Sequence, residues 1–293
     1  MKVWILSLGL LLLTAQTSAA VTPWLDFTLK NGHIYVPMTV NGIEVEAILD
    51  SGAEINLISE AVAEQSGVQL NVSNMTISGV YGKTRAKAAS GVPITLFGFD
   101  TKMGFYSVDS SVPVLIGKPF FDEFIVQFDY PNQRMRLLTR DAVEGDWDNL
   151  SIRQERNSTL PAVQVRLDNR EDVWLTLDTG ASSGLLLDRL FALEHELVTE
   201  EKELQHLSGV NESAVAEAFS MPLVTFGPYQ LEQVETVIPG EGEATNLRKL
   251  NPVLTGTRIQ KGVKTKGLLG YDVLKHFLLT LDTREYKAHV IAQ

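Results

Sequence analysis

The segment Leu49-Asp50-Ser51-Gly52-Ala53 decides how this chain folds, and it returns later as Leu177-Asp178-Thr179-Gly180-Ala181. In both places an apolar, strand-like stretch ends in an aspartate, a hydroxyl residue and a glycine. Two carboxylates that pseudo-twofold symmetry brings together can share one proton, so that one acts as general base and the other as general acid. A single Asp after a strand is more often a turn residue, but the duplication in register favours a catalytic pair, Asp50 and Asp178.

The repeat extends well beyond these two segments. The strands before each aspartate share one pattern, and each half later carries an apolar-apolar-glycine block followed by an apolar strand that ends in Asp. Five blocks of the first copy match five blocks of the second copy in the same order. The pairs are 34–40 and 160–167; 45–53 and 173–181; 78–80 and 208–210; and 93–98 and 222–227. In the fifth pair, 114–117 matches 267–270, and 124–129 matches 277–282. Blocks in one order over so long a period indicate a duplicated domain rather than a solenoid.

The pattern D-[ST]-G-A, followed downstream by two apolar residues and a glycine, resembles the aspartic peptidases. The residues at 48–53 and 116–121 are most similar to the retropepsin-like branch, and two copies in one chain resemble the bilobed pepsins. The resemblance implies a mostly β fold with two similar acid-protease-like β-barrel lobes related by pseudo-twofold symmetry, with short helices. It also implies an aspartic endopeptidase that hydrolyses peptide bonds with a water activated between Asp50 and Asp178, without cofactor or metal.

The resemblance further implies which residues support the pair. The hydroxyl residues would hydrogen-bond across the two loops, the adjacent glycines would let the loops approach, and the glycines of the apolar-glycine blocks would lie beneath the loops. In that order these residues are Ser51 and Thr179, Gly52 and Gly180, and Gly117 and Gly270.

A hairpin flap closes over the cleft in this family, and Gly79-Val80-Tyr81-Gly82 lies where its tip belongs. The resemblance implies that Gly79, Tyr81 and Gly82 contact the substrate; the alternative is that the Tyr81 ring packs on a turn. The second copy carries the more polar Gly209-Val210-Asn211-Glu212 at this place. Whether the protein has one flap or two therefore stays open.

Turn residues are frequent and most apolar segments are short and β-branched or aromatic, which independently favours a β protein. Two short helices are predicted after the Asp loops, one from Ser59 to Gly67 and one beginning near Asp188. Pro119 suits the first position of another short helix. The residues after the glycine blocks, Lys118 and Tyr271, depart from the family pattern, in which Arg or an acidic residue is common at this place.

The N-terminus has the features of a secretory signal, with Lys2, an apolar run over 3–13 and the small residues Ser18-Ala19-Ala20. The alternative, a transmembrane anchor, is less favoured because the run is shorter than the roughly 18 residues of a membrane span. Because the chain has no cysteine, we expect an exported bacterial protein, periplasmic or secreted. We divide the chain into a signal peptide (1–20), an N-terminal lobe (21–139), a polar linker (140–158) and a C-terminal lobe (159–293), with a polar surface insertion over 239–266.

The chain has 25 Lys and Arg against 36 Asp and Glu, a formal net charge of −11. This charge disfavours nucleic acid and anionic membranes as partners, and we expect a peptide or protein substrate and a monomer. The scattered His residues lack metal-ligand spacing.

Other functions stay open at this point. The fold could be a catalytically silent peptide-binding module, or each lobe could pair with a lobe of another molecule. Gly180-Ala181-Ser182-Ser183-Gly184 also has the spacing of a serine hydrolase elbow, but that motif requires a parallel α/β sheet.

Overall fold

The computed structural model describes residues 20–78, 83–208, 213–243 and 262–293. Short strands dominate these residues, and the helices among them are all short. The elements of the first half are β1 (Leu25–Asp26), β2 (Thr28–Lys30), β3 (His33–Val40), β4 (Ile43–Leu49), β5 (Leu57–Ser59), α1 (Glu60–Gln65), β6 (Asn71–Ser78), β7 (Lys83–Leu96), β8 (Phe99–Val108), β9 (Val114–Ile116), α2 (Lys118–Phe121), β10 (Ile125–Asp129) and β11 (Arg134–Leu138).

From β2 onward, the second half repeats this order of elements after a short 3-10 helix, Arg140–Ala142. Its elements are β12 (Ile152–Gln154), β13 (Pro161–Leu167), β14 (Glu171–Leu177), β15 (Leu185–Leu187), α3 (Arg189–Glu194), β16 (Glu203–Ser208), β17 (Ser213–Phe226), β18 (Tyr229–Pro239), β19 (Gly267–Leu269), α4 (Tyr271–Leu274), β20 (Phe277–Asp282) and β21 (Lys287–Ala292).

Each half forms a closed β-barrel. In the first barrel the strand order is β3-β4-β9-β5-β8-β7, and pairing between β3 and β7 closes the ring. The second barrel has the equivalent order β13-β14-β19-β15-β18-β17 and is closed by β13 and β17. In both, the strand that leads to the Asp loop runs parallel to the strand of the apolar-glycine block, β4 with β9 and β14 with β19. The predicted fold of two similar β-barrel lobes with short helices is confirmed.

Alternation along the strands builds the barrel cores. On β3, Ile34, Val36, Met38 and Val40 are buried, whereas the residues that alternate with them, His33, Tyr35, Pro37 and Thr39, are partly or largely exposed. This period of two is what a barrel strand requires, because one face lines the interior and the other faces outward.

A third sheet joins the two halves. Its order is β1-β11-β10-β20-β21, so the neighbouring strands β10 and β20 come one from each half. β10 and β20 are antiparallel, with Val126 opposite Leu281 and Phe128 opposite Leu279. All four of these side chains are buried, so the sheet fixes one lobe on the other through a continuous apolar surface.

Local sequence signals account for the helices. The hydroxyl of Ser59 accepts a hydrogen bond from the Val62 amide at 3.2 Å and caps α1. The Asp188 carboxylate accepts from the Phe191 amide at 2.9 Å and caps α3. Pro119 lies in the first turn of α2, where its missing N–H costs nothing. The predicted helices after the Asp loops and at Pro119 are thus confirmed.

The predicted linker contains a strand, and the predicted signal and insertion lie largely outside the described residues. Strand β12 lies inside the predicted linker, residues 140–158, and pairs with β13, because its three residues gain backbone hydrogen bonds at the edge of the second sheet. Residues 1–19 of the predicted signal and 244–261 of the predicted insertion lie outside the described residues. No helix within the described ranges has the length and apolarity that a bilayer span needs.

Arg140 ties the two halves together at the edge of the central sheet. Its guanidinium donates to both carboxylate oxygens of Asp282, at 2.9 and 3.1 Å. The same group donates to the carbonyl oxygens of Asp122 at 2.9 Å and Glu123 at 3.2 Å. One cation therefore joins the end of α2 in the first half to the end of β20 in the second half.

We expect Arg140→Ala to lower the free energy of unfolding by about 2 to 4 kcal/mol, because the Asp282 carboxylate would remain buried without its cation. Equilibrium unfolding in urea would measure the change. The matched control is Arg166→Ala, which removes an exposed pair with Asp172 at 2.7 Å and should cost less than about 1 kcal/mol. Equal losses for the two variants would contradict this role of Arg140.

Candidate active site

Two equivalent loops carry the predicted aspartates. Asp50 follows β4, and its amide donates to the Ile116 carbonyl of β9 at 2.9 Å. Asp178 follows β14, and its amide donates to the Leu269 carbonyl of β19, also at 2.9 Å. The parallel strand pairs thus deliver both aspartates in the same way, one from each barrel.

The hydroxyl residues lock the loops to each other. The Ser51 amide donates to Thr179 Oγ1 at 3.0 Å, and the Thr179 amide donates to Ser51 Oγ at 3.1 Å. Each hydroxyl then donates to a backbone carbonyl of the opposite loop, Ser51 Oγ to Leu177 at 2.8 Å and Thr179 Oγ1 to Leu49 at 2.9 Å. Both side chains are buried. These four reciprocal bonds are the cross-loop hydrogen bonds that the resemblance implied.

The loop glycines bring each carboxyl group against the opposite loop. A Cβ atom on Gly52 would lie 2.6 Å from Asp178 Oδ1, and one on Gly180 would lie 2.7 Å from Asp50 Oδ2. Both distances are too short for any real side chain. In addition, each glycine amide donates to Oδ1 of the aspartate in its own loop at 2.8 Å. The two carboxyl groups therefore meet across the interface between the lobes.

The glycines of the apolar-glycine blocks lie directly beneath the loops. A Cβ on Gly117 would lie 2.6 Å from the Ala53 carbonyl oxygen, and one on Gly270 would lie 2.5 Å from that of Ala181. The contact exists because the next amide in the chain donates to the same carbonyl, at 2.8 Å in the first half and 2.9 Å in the second. Any larger residue would push the loop and its aspartate out of place.

Burial perturbs both carboxyl groups, and the charge of Asp178 adds to the perturbation of Asp50. Burial is the main cause that raises the pKa of Asp50 well above its ordinary value, and the charge of Asp178 and a hydrogen bond with it add to the shift. Burial also raises the pKa of Asp178, whereas hydrogen bonds from Asp50 and from the loop amides act in the opposite direction. The pair therefore titrates as one unit that retains a proton where ordinary carboxylates have lost theirs.

The departures from the family pattern at Lys118 and Tyr271 have structural explanations. Lys118 is buried and donates to the two Asp122 oxygens at 2.5 and 2.6 Å, and Asp122 also accepts from Thr283 of the second half at 2.6 Å. On the other side of the pair, the Tyr271 ring packs on Tyr130 with centroids 6.2 Å apart. The hydrogen bond between Thr283 and Asp122 and the ring contact between Tyr130 and Tyr271 thus each join the two lobes, next to the equivalent glycine blocks.

Sequence reasoning missed two residues on the Asp178 side. Tyr130 is buried, and its hydroxyl has no hydrogen-bond partner among the described residues. Burial, followed by the charges of Asp178 and Tyr271, raises the pKa of Tyr130 well above its ordinary value. The charge of His33 is among the lesser causes that lower the pKa of Asp178. Neither residue belongs to a motif, so only their positions in the folded chain could identify them.

The structure describes the predicted dyad and its supporting residues but not the predicted flap tip. The structure brings together all eight residues of the predicted dyad and its support, whereas Gly79, Tyr81 and Gly82 lie outside the described residues. The barrels formed by the described residues are closed and mostly antiparallel, and they do not provide the parallel α/β sheet that a serine hydrolase elbow at residues 180–184 would need. In the described part of the chain, no three His, Asp or Glu side chains form a metal-binding group.

The paired barrels and facing aspartate loops define an acid-protease fold. A family model described as "Aspartyl protease" matches residues 36–120 and 163–273. The chain therefore belongs to the aspartyl protease family, and the two matched segments correspond to its two halves. The comparison with curated proteins gave no match.

Similar solved structures include three proteases or protease-like domains. The EIAV protease in complex with the inhibitor HBY-793 is 19% identical, with a TM-score of 0.28, over 30% of this chain and 83% of that chain. The retroviral protease-like domain of Ddi1 from Leishmania major is 27% identical, with a TM-score of 0.25, over 29% and 71%. A retropepsin-like aspartic protease from Rickettsia conorii is 14% identical, with a TM-score of 0.32, over 42% and 96%.

Proposed function

We propose that this protein is an aspartic endopeptidase in which Asp50 and Asp178 together activate a water molecule for peptide hydrolysis. The observation that carries the proposal is the reciprocal arrangement of the two loops. Each hydroxyl residue bonds to the opposite loop, and each glycine leaves room only for the opposite carboxyl group. A buried pair of carboxyl groups held this rigidly is costly to maintain, which favours a catalytic use over a structural one.

The chemistry requires the pair to hold one proton. The ionised carboxylate accepts a proton from water as the water oxygen bonds to the peptide carbonyl carbon, and the protonated carboxyl donates its proton to the carbonyl oxygen. The carboxyl group that took the water proton then donates it to the amide nitrogen as the C–N bond of the tetrahedral diol breaks, and the other carboxylate accepts a proton from a diol hydroxyl. The products are a carboxylic acid and an amine, and the dyad returns to its one-proton state. The raised pKa values favour this state over double ionisation.

The substrate class follows from the proposed chemistry, and it is a peptide or an unfolded protein segment. The predicted signal at residues 1–20 adds the proposal that the enzyme is exported and acts in the periplasm, or is secreted, as a monomer. These parts of the proposal rest on sequence features.

The decisive experiment incubates the purified exported protein with a peptide library at several pH values from acidic to neutral, with and without a statine-type inhibitor. We expect internal peptide bonds to be cut and the inhibitor to abolish cleavage, because its hydroxyl group mimics the tetrahedral intermediate. Cleavage that the inhibitor does not affect would contradict catalysis by the dyad. Peptide binding without cleavage at any pH would instead establish the silent binding module.

A further inference from the structure

The pseudo-twofold relation between the halves allows residues near the two aspartate loops to be compared one by one. Tyr35 of β3 pairs with Ile48, and Ala162 of β13 pairs with Thr176. Ile48 and Thr176 each lie two residues before a dyad aspartate. Tyr35 and Ala162 therefore occupy equivalent positions, and so do the residues three positions before each of them.

Those earlier residues, Gly32 and Thr159, each reach the aspartate loop of the other half, but by different contacts. They meet Ser182 and Glu54, and each of these is the fourth residue after its dyad aspartate. A Cβ on Gly32 would lie 3.0 Å from Ser182 Cα. Thr159 instead forms hydrogen bonds, because its amide and its hydroxyl donate to Glu54 Oε1 at 2.8 and 3.1 Å. One loop is thus held by close packing and the other by hydrogen bonds to a carboxylate.

Thr159 lies on a turn that its neighbours hold in place. The Glu155 amide donates to the Leu160 carbonyl oxygen at 3.0 Å and closes the turn. The Ser158 hydroxyl accepts from the Leu160 amide at 3.0 Å and donates to the Glu155 carboxylate at 3.1 Å. Glu155, Ser158 and Leu160 are all buried. The position of Thr159 is therefore fixed with respect to the second lobe.

Tyr286 binds the third polar group of Thr159. Its hydroxyl donates to the Thr159 carbonyl oxygen at 3.0 Å, so the amide, the hydroxyl and the carbonyl of Thr159 all make hydrogen bonds. Burial, followed by the charges of Asp122 and Glu54, raises the pKa of Tyr286 to about 12. The Tyr286 hydroxyl therefore keeps its proton at acidic and neutral pH and remains a donor.

The turn that carries Tyr286 lies between β20 and β21 and contacts the first lobe. The Lys118 ammonium of α2 lies 6.0 Å from the Tyr286 ring centroid. In the same turn, the Thr283 hydroxyl donates to Asp122, at the end of α2, at 2.6 Å. Tyr286 thus approaches Thr159 from a turn that is itself placed against the first lobe.

Glu54 can pass this position on to the Asp50 loop because its backbone is held on both sides. The carbonyl oxygens of Ala53 and Ile55, its two neighbours, both pack against Gly117. The Ala53 carbonyl also accepts from the Lys118 amide at 2.8 Å. A shift of the Glu54 side chain is therefore transmitted to the loop rather than absorbed by a loose backbone.

The Asp178 side has no such chain of hydrogen bonds among the described residues. The residues equivalent to Thr159, Glu54 and Tyr286 are Gly32, Ser182 and Gln133. Glycine has no side-chain donor, and Ser182 and Gln133 are exposed. The Tyr271 ring packs there instead, because a Cβ on Gly32 would lie 3.1 Å from Tyr271 Cδ1. The polar connection between the lobes at this level is one-sided.

We propose that Glu54, Thr159 and Tyr286 form a one-sided clamp between the lobes that positions Asp50 against Asp178. Glu54 is a positioning residue, since it acts through the loop that carries Asp50. The effect of the clamp on turnover rests on the proposed peptidase function. The clamp itself does not, because it belongs to the uncomplexed protein.

Glu54→Ala removes the acceptor of the clamp. We expect kcat to fall by about 10-fold or more, because a small misplacement of a catalytic group is costly, and KM to change by less than about 2-fold. Glu54→Gln keeps an acceptor oxygen at the same reach and should retain most of kcat. The matched control is Ser182→Ala, which keeps the backbone contact with Gly32 and should leave kcat and KM unchanged. Steady-state kinetics on a peptide from the library screen would measure all three variants.

Tyr286→Phe tests the other end of the clamp by removing one hydroxyl group. We expect kcat to fall by about 3-fold, in keeping with the loss of one hydrogen bond. In the double variant with Glu54→Ala the two losses should not multiply, because both substitutions break the same chain of hydrogen bonds. Tyr286→Phe also decides the matter if Glu54→Ala fails to fold. Multiplying losses, or an equal loss in Ser182→Ala, would overturn the proposal.

NMR with carboxyl-labelled aspartate tests the clamp without turnover. If Asp50 moves away from Asp178, the repulsion between the carboxyl groups weakens, so the Asp50 titration midpoint in Glu54→Ala should fall by about half a pH unit or more. Glu54→Gln removes the same charge but keeps the acceptor, and it should shift the midpoint by clearly less. Equal shifts in these two variants would overturn the proposal.

The two readouts separate the clamp from the peptidase function. A fall of the midpoint in Glu54→Ala, in a protein that cleaves no peptide, would refute the peptidase function and leave the clamp intact. Peptide cleavage with a kcat and a midpoint that Glu54→Ala leaves unchanged would refute the clamp and leave the peptidase function intact.

Discussion

Asp50→Asn and Asp178→Asn should each lower kcat/KM for peptide cleavage by about 10³-fold or more, within the range that general acid–base groups contribute. An amide cannot exchange a proton with water or with the carbonyl oxygen, so either substitution removes one partner of the dyad. Because the two residues act as one unit, the double variant should be hardly less active than either single variant. Initial rates on a peptide identified in the library screen would provide the measurement.

Asp50→Asn could also lose activity because it unfolds, so the stability of the variant must be measured. The raised pKa of Asp50 predicts how that stability depends on pH. A carboxyl group whose pKa is raised on folding stabilises the protein fully below its unfolded pKa and loses that contribution as the pH rises through the folded pKa. Asn does not titrate. We therefore expect Asp50→Asn to be more stable than the original protein at neutral pH, with the gain disappearing in acid. A variant that is folded and cleaves as fast as the original protein would end the proposal of a dyad.

Gly52→Ala and Gly180→Ala should each reduce kcat/KM by about 100-fold, the cost of displacing a catalytic group by about 1 Å. The new methyl group would occupy the place of the opposite carboxyl group, which lies 2.6 Å from the Cβ position at Gly52 and 2.7 Å from that at Gly180. Because the aspartate side chain is short and its loop is held by four hydrogen bonds, the carboxyl group must rotate away from its partner. Steady-state kinetics together with thermal unfolding would check the effect.

Gly104→Ala is the matched control for these two variants. Gly104 lies in β8, and a Cβ there would meet only the Ala89 carbonyl oxygen at an ordinary 3.7 Å. We expect normal activity and stability for this variant. Full activity in Gly52→Ala would show that the carboxyl groups need not meet at this place, which would contradict the proposed mechanism.

The local features of the fold could be predicted from sequence because each depends on neighbouring residues. Ser59 and Asp188 indicated helix starts because their side chains cap the first turn within three residues. Asp50 and Asp178 were found because strand, hydroxyl residue and glycine repeat in the same register. The contact of Gly117 with its loop was implied only by family resemblance, since nothing in the local sequence shows what lies above that glycine.

The features that were missed depend on residues distant in the chain. Strand β12 forms because β13 offers it an edge, and its own sequence has no strand period. The central sheet pairs strands whose matched residues are far apart, Val126 with Leu281. Gly32 approaches Ser182, in the loop after Asp178, only because the two lobes are docked, and no spacing in the sequence indicates this contact.

The sequence alone determined that this protein contains one mostly β domain twice and that each copy ends a strand in an aspartate, because strand periodicity and short motifs are properties of neighbouring residues. The barrel shape of each copy was implied only by the resemblance to the aspartic peptidases. Only the tertiary structure decided that the loops meet, that Ser51 and Thr179 exchange hydrogen bonds, and that Gly52 and Gly180 each face the opposite carboxyl group. These relations arise from docking two nearly identical surfaces. Small differences between the copies become visible only when the surfaces are in contact.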